Sequence, residues 1–222
     1  MDLLRFTLVS EGSSDKCLIP ILEWAIREQG VNAAQGQFAQ WNWLPKKPKT
    51  IAGKILAGLD LYECDLLFVH RDADESDPSE RRKEIAGAVI EANRQRSIII
   101  PSVPVIPIYE TEAWLLIEEQ AIRRAANNPN GKCDLGLPTH KNIENCGNAK
   151  EELERALRAA SERSPQRLKR FDIQTAKARV VDHISDFTLL RKLSAFQSLE
   201  SDLAALCKRD WKSAPSNSQY LG

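Results

Sequence analysis

Short apolar runs alternate with segments of helical periodicity over the first 126 residues, and this alternation limits the fold more than any other feature. Residues 3–10 (LLRFTLVS) and 64–70 (CDLLFVH) are typical of strands, and residues 97–108 give a further extended segment. Apolar residues at helical spacing predict helices between and after these runs, over 13–30, 50–59, 78–93 and 110–126. This order predicts an α/β fold with a mostly parallel sheet flanked by helices.

The pattern changes near residue 126, where an Asn- and Pro-rich segment ends the last helix of the alternating part. We therefore expect residues 1–126 to form the α/β domain. Residues 127–222 are expected to form an irregular linker and a helical C-terminal extension packed on that domain. Helical spacing within the extension covers 149–161, 172–184 and 193–207.

Local signals refine two of these elements. Asp77 precedes Pro78 and Glu80 at the spacing of a helix cap, which predicts that a helix begins at Pro78. Aromatic and polar residues alternate over 38–44, which predicts another strand. Trp114 lies among apolar neighbours in the helix predicted over 110–126, so we expect it in the core.

The charges of the chain balance, with 31 Lys and Arg against 31 Asp and Glu. A zero net charge excludes a global basic field, so any nucleic-acid site must be a local patch. The best candidate is the loop with Lys46, Lys47 and Lys49, which follows Trp41 and Trp43; a solvated loop is the alternative. A second basic stretch is either another patch or a solvated helix face, and it contains Arg167, Lys169, Arg170, Lys177 and Arg179.

The cysteines and the apolar runs bear on the compartment. Five cysteines are odd in number and scattered, which favours a reducing, cytoplasmic environment over a disulfide framework. Residues 1–10 lack the features of a signal peptide, and no apolar run approaches the roughly 20 residues of a membrane span. We therefore expect a cytoplasmic protein without a membrane partner.

Acidic residues follow two of the predicted strands directly. Glu11 comes after the first strand, and Asp72 and Asp74 come after the strand that ends at His70. Residues two apart in extended chain project to one side, and ligands gather at the carboxyl ends of parallel strands. Two carboxylates about 4 Å apart repel by roughly 4 kcal/mol at an effective dielectric constant of about 20, so such a cluster favours a divalent cation. Mg²⁺ or Mn²⁺ suits oxygen ligands of this kind.

Structural roles compete with this interpretation. Asp-rich turns after strands are common because Asp bonds its own backbone. Glu110 and Glu112 begin a predicted helix, where acids favour the positive end of the dipole, so a capping role stands beside a secondary role near a metal. We interpret His70 as a satisfied residue at a strand end in preference to a general base.

The acidic motifs resemble those of the Toprim domain, which topoisomerases, bacterial primases and OLD-type nucleases share. The likeness rests on residues 11–15 (EGSSD) after the first strand and residues 72–74 (DAD) after a later one, and it covers about residues 1–125. Residues 107–116 and 190–196 also resemble a family of small bacterial Toprim-like proteins of poorly defined function.

The resemblance implies a nuclease that uses one or two Mg²⁺ or Mn²⁺ ions. Glu11, Asp72 and Asp74 match the catalytic and metal-binding acids of the family, and Asp15 matches the position that helps hold a second metal. DNA is the preferred substrate, in a bacterial anti-phage or mobile-element system with a separate ATPase, and a homo-oligomer is another candidate assembly. The alternatives are a non-catalytic Toprim-like binding or assembly module and a nuclease that matures structured RNA.

Overall fold

The sheet has four strands that all run parallel, which confirms the predicted α/β class. A computed structural model describes residues 3–74, 77–97, 99–139 and 141–208. The strands are β1 (Leu4–Val9), β2 (Ala34–Phe38), β3 (Leu66–His70) and β4 (Ser102–Val105). Their order across the sheet is β2-β1-β3-β4, so the two most apolar runs of the sequence occupy the two inner positions.

Helices make up most of the remaining described chain. The α-helices are α1 (Leu18–Glu28), α2 (Ile51–Leu61), α3 (Pro78–Arg96), α4 (Glu119–Ala125), α5 (Ala149–Ala160), α6 (Pro165–Leu168), α7 (Ile173–His183) and α8 (Ser194–Lys208). Short 3₁₀ helices cover Ser13–Cys17, Thr111–Leu115 and Phe187–Lys192. Within the described residues, no helix combines the length and the apolar character that crossing a membrane requires.

The described residues group into two compact units. The first unit contains those up to Arg71, those from Arg82 to Val105 and those from Ser198 onward. The second unit contains those from Asp72 to Arg81 and from Ile106 to Gln197. This grouping differs from the boundary expected at residues 126 and 127, because α4 and the 3₁₀ helix before it pack against α5 and α7.

The core of the first unit is centred on the inner strands. All five residues of β3 are buried, as expected for a strand covered on both faces. Phe6 of β1 and Phe68 of β3 meet edge to face, with ring centroids 5.1 Å apart and planes at 81°. Such pairs add to the hydrophobic gain from burial, so these two rings fix β1 against β3.

The core of the second unit contains Trp114, which confirms its expected burial. Its ring meets that of Phe196 edge to face at a centroid distance of 5.5 Å. Helix α5 presents a buried apolar stripe to this core, formed by Ala149, Leu153, Ala156, Leu157 and Ala160. A stripe at this spacing is what an amphipathic helix of a globular unit requires.

The strand predicted over 38–44 is wrong in position, since β2 ends at Phe38 and residues 42–46 form turns and bends. Tertiary pairing decides the position of β2, because its residues align with β1, Phe6 facing Gly36 in the register. The ring of Phe6 comes so near that a Cβ on Gly36 would lie 2.4 Å from its Cζ. A residue without a side chain is therefore required at a point that strand propensity disfavours.

The helix predicted over 110–126 is interrupted. A 3₁₀ helix covers Thr111–Leu115, and α4 begins only at Glu119. Glu118 has an extended backbone (φ −131°, ψ 105°), and its carboxylate accepts hydrogen bonds from the backbone N–H and the hydroxyl of Ser185. This long-range contact favours the break at Glu118, and the local sequence does not reveal it.

Candidate functional site

Glu11 lies where the chain leaves β1, in the first unit. β1 and β3 are parallel neighbours in the register Val9↔Val69, so β1 ends one residue before the level at which β3 ends. The Glu11 side chain is 57% exposed, and its Oε1 lies 3.2 Å from Nη1 of Arg71. The same nitrogen donates to Oε1 of Glu84 at 3.0 Å. Arg71 thus forms ion pairs with two carboxylates, and one of them belongs to Glu11, a predicted catalytic acid.

Asp72 is the second residue after β3 and belongs to the second unit. Its Oδ1 accepts a hydrogen bond of 3.0 Å from the hydroxyl of Thr111, which is buried. The next residue, Ala73, is also buried, and its N–H donates to the carbonyl of Pro107 at 2.9 Å. The Asp72 carboxylate and the backbone of the next residue are therefore both held by residues of the segment 107–111.

Asp74 adopts a left-handed backbone conformation, with φ at 54°. Asp tolerates this region better than most residues, and it marks a turn. The extended geometry that predicted Asp72 and Asp74 on one side therefore ends before Asp74. The Asp74 side chain is 66% exposed, and its Oδ2 lies 3.2 Å from Nη2 of Arg81.

Asp15 has a structural environment within the first unit. It is 7% exposed, and its Oδ2 accepts the N–H of Gly12 at 3.1 Å and lies 3.3 Å from Nδ1 of His70. The hydroxyl of Ser14 donates to Oδ1 at 3.2 Å. Both carboxylate oxygens are thus engaged where the 3₁₀ helix begins.

These contacts determine the protonation of Asp15. Burial alone raises the pKa of a carboxyl group, because it removes water from the charged form. Here the hydrogen bond and charge of His70, together with the N–H of Gly12, outweigh burial and lower the pKa of Asp15. His70, which is 3% exposed, is therefore the partner of a buried anion, in agreement with the interpretation of a satisfied strand-end histidine.

Glu110 and Glu112 lie in the second unit on either side of Thr111. Oε2 of Glu110 accepts the backbone N–H of Lys150 at 2.7 Å, in the first turn of α5, where a negative charge is favoured. Burial raises the pKa of Glu112, and the negative charges of Glu110 and Asp72 raise it further against the opposing influence of Lys177. Glu112 is therefore a carboxyl group that holds its proton more tightly than usual.

The lysine loop follows β2 in the first unit. Lys46, Lys47 and Lys49 are exposed, and none of them forms an ion pair with a residue that the structure describes. Nζ of Lys47 lies 3.5 Å from Oδ1 of Asn42, and Trp43 is 60% exposed. Free cations beside an exposed indole are compatible with phosphate contact and base stacking.

The predicted acids have the chemistry of a hard-metal site. Carboxylate oxygens are the ligands that Mg²⁺ and Mn²⁺ prefer, so the donor type of Glu11, Asp72 and Asp74 fits such an ion. Their present partners are two guanidinium groups and a hydroxyl, which a cation must displace. Among the described residues, no group of three or more His, Cys, Asp or Glu side chains is arranged to hold a metal ion.

The partners of these acids were missed by sequence reasoning. Arg71 is the residue directly before Asp72 in the chain. Its position between a strand and an acidic motif is a feature of the sequence that could have indicated an ion pair with one of the acids. Thr111 lies 39 residues from Asp72, so no local pattern connects them. Comparison with protein-family models, with curated proteins and with solved structures gave no match.

Proposed function

We propose that this chain is a Mg²⁺- or Mn²⁺-dependent nuclease that hydrolyses phosphodiester bonds of DNA, with Glu11, Asp72 and Asp74 as its essential acids. One observation carries the proposal. β1 and β3 are parallel neighbours in the register Val9↔Val69, Glu11 is the second residue after β1, and Asp72 is the second residue after β3, which extends one residue further than β1. Ligands of parallel sheets gather at these strand ends.

Exposed lysines of the first unit support a polyanionic substrate. Lys46, Lys47 and Lys49 supply exposed positive charge for phosphate groups, and Trp43 offers a face for an unstacked base. When bound, a divalent ion supplies an activated water and stabilises the oxygen that leaves. The raised pKa of Glu112 makes it suited to hold a proton at a pH where other carboxyl groups are ionised.

The proposed setting follows from the resemblance to Toprim proteins. It is a bacterial anti-phage or mobile-element system in the cytoplasm, in which a separate ATPase controls the nuclease. The structure describes all five cysteines and shows no disulfide bond among them, which is compatible with a reducing compartment.

A non-catalytic binding or assembly module is the second candidate, and the acid partners favour it. Arg71 neutralises Glu11, Arg81 neutralises Asp74, and Thr111 satisfies Asp72. Acids with such partners need no metal ion to be stable, because their charge and hydrogen-bonding capacity are already compensated. On this proposal the acidic motif fixes the loops after β1 and β3.

Cleavage assays with matched variants separate these proposals. The full chain is incubated with plasmid DNA, linear DNA and structured RNA in EDTA, Mg²⁺ or Mn²⁺. We expect metal-dependent cleavage of DNA, and a loss of about 100-fold or more in Asp72→Asn and in Glu11→Gln. Glu84→Gln is the control, because Glu84 shares Arg71 with Glu11 but lies outside the acidic motif.

Each outcome has a distinct meaning. Full activity in Asp72→Asn contradicts the nuclease proposal, and so does equal loss in Glu84→Gln and Glu11→Gln. A folded protein that binds no Mn²⁺ at millimolar concentration and cuts nothing supports the non-catalytic module. Cleavage of RNA with plasmid DNA left intact retains the chemistry and changes the substrate.

A further inference from the structure

Three arginines line a cleft in the second unit that lies outside the acidic motif. The cleft has a volume of about 200 Å³, and Arg163, Arg170 and Arg179 surround it with Asn127, Asp172 and Thr175. A water molecule occupies about 30 Å³ of liquid, so the cleft has room for a small polyatomic ion. Only Arg170 and Arg179 belong to the basic stretch noted in the sequence.

The three guanidinium groups lack acidic partners among the residues that the structure describes. Arg163 lies over the ring of Phe171, with Cζ 4.8 Å from the ring centroid. Arg179 donates through Nη1 to Oδ1 of Asn127 at 3.3 Å, which is a neutral acceptor. By contrast, Lys177 of the same basic stretch is paired with Glu154 at 2.7 Å.

Asp172 is the acid that lines the cleft, and it is already engaged. Its Oδ1 accepts the backbone N–H of Thr175 at 3.0 Å, and its Oδ2 accepts the hydroxyl of Thr175 at 2.7 Å. These two bonds cap the N-terminus of α7. The cleft therefore brings three positive charges together with one negative charge, whose carboxylate is engaged by Thr175.

The donor chemistry of the arginines is suited to an oxyanion. Guanidinium groups donate paired hydrogen bonds to phosphate and carboxylate oxygens. Stacking on Phe171 restrains Arg163, and the bond to Asn127 restrains Arg179, so less side-chain entropy is lost on binding. A net charge of two positive units matches a phosphate dianion better than a carboxylate.

We propose that this cleft of the second unit binds a phosphate group, either that of a small phosphomonoester such as a nucleotide or the terminal phosphate of a nucleic acid. The proposal is independent of the nuclease activity. It depends only on the arginines and on the absence of an acid paired with them in the described part of the chain.

Calorimetric titration of the full chain tests the proposal with paired probes. The probes are inorganic phosphate, adenosine 5′-monophosphate against adenosine, and a short DNA oligonucleotide with and without its 5′-phosphate. We expect adenosine 5′-monophosphate to bind and adenosine not to bind. If the 5′-phosphorylated oligonucleotide binds more tightly than the unphosphorylated one, the phosphate bound by the cleft is the terminus of a nucleic acid. If the two oligonucleotides bind equally and adenosine 5′-monophosphate binds tightly, the phosphate is that of a small molecule.

Variants of the arginines give the decisive comparison. Arg170→Gln and Arg179→Gln should each weaken phosphate binding about tenfold, the effect of one lost charge-assisted hydrogen bond. Arg167→Gln is the matched control, since Arg167 is an exposed arginine of the same segment that does not line the cleft. Asp172→Asn, which removes the negative charge, should tighten binding several-fold.

Circular dichroism verifies that each variant is folded. Arg163 is not substituted, because its contact with Phe171 contributes to packing. Absence of saturable binding by both phosphate and the nucleotide overturns the proposal. Equal weakening in Arg167→Gln and Arg170→Gln also overturns it, because the binding then comes from a diffuse positive field.

Discussion

Replacement of Asp15 by Asn separates a structural role of this carboxylate from a role in metal binding. The Asp15 carboxylate accepts the N–H of Gly12 and the hydroxyl of Ser14, and it lies 3.3 Å from the Nδ1 of His70. Asn retains one acceptor oxygen and replaces the other with a donor. The Ser14 hydroxyl can accept from the new amide group, but the negative charge beside His70 disappears.

The size of the effect follows from the burial of the pair. Asp15 is 7% exposed and His70 is 3% exposed, so solvent screens their interaction little. A hydrogen bond to a charged group contributes about 1.5 to 3 kcal/mol, and removal of one partner of a buried ion pair costs about 3 to 5 kcal/mol. We expect Asp15→Asn to lower the free energy of unfolding by about 2 to 4 kcal/mol at pH 7.

Urea denaturation at several pH values measures this loss. The pKa of Asp15 in the folded chain lies below the usual 3.8, so its carboxylate stabilises the fold above that value and loses this effect as the pH falls through the folded pKa. The difference between wild type and Asp15→Asn should therefore persist at about pH 5 and shrink below about pH 3.8. Glu11→Gln, which changes an exposed acid of the same loop, should alter stability by less than about 0.5 kcal/mol.

Equal stability of wild type and Asp15→Asn at pH 7 would refute the structural reasoning. Loss of Mn²⁺ binding in Asp15→Asn with unchanged stability would instead assign the carboxylate to a second metal, as the resemblance to OLD-type nucleases implies.

Further substitutions test the packing, a helix cap and a buried acid, each by urea denaturation. Gly36→Ala should destabilise the chain by about 1 to 3 kcal/mol because its Cβ would lie 2.4 Å from Cζ of Phe6, whereas Gly87→Ala in α3, which meets nothing within 4 Å, should stabilise it by about 0.5 to 1 kcal/mol. Thr50→Ala should cost about 1 kcal/mol, because the Thr50 hydroxyl caps α2. Glu112→Gln should gain stability relative to wild type as the pH rises from about 4.5 through the raised pKa of Glu112, because only wild type then holds a buried charge there.

The parts of the fold that could be predicted are those in which the local hydrophobic pattern agrees with the environment that the tertiary structure provides. β1 and β3 are apolar runs that the sheet buries at its centre, so pattern and environment give the same answer. β2 is the opposite case. Its sequence, AQGQF, carries little strand propensity, and its position depends on pairing with β1 and on the space that Phe6 takes above Gly36.

The same distinction holds for the candidate site. Strand ends are local features, so the sequence could place Glu11 and Asp72 at the exits of two strands. Their counter-charges and donors depend on the fold, as the contact of Asp72 with Thr111 illustrates. The arginine cleft is harder still, because Arg163 lies outside the basic stretch noted in the sequence and its role depends on stacking against Phe171.

The free energy of the arginine ion pairs determines how much they lower the affinity of the acids for a metal ion. The Arg71–Glu11 and Arg81–Asp74 pairs both involve acids whose side chains are more than half exposed. Exposed pairs contribute about 0 to 1 kcal/mol each, and the arginines of these two pairs are only 14% and 21% exposed, so releasing both acids costs on the order of 2 kcal/mol. Since 1.4 kcal/mol corresponds to a factor of ten, the arginines weaken cation binding on the order of 30-fold. That is too little to exclude a divalent ion at millimolar concentration, so a Mn²⁺ titration carried to that concentration decides between the nuclease and the non-catalytic module.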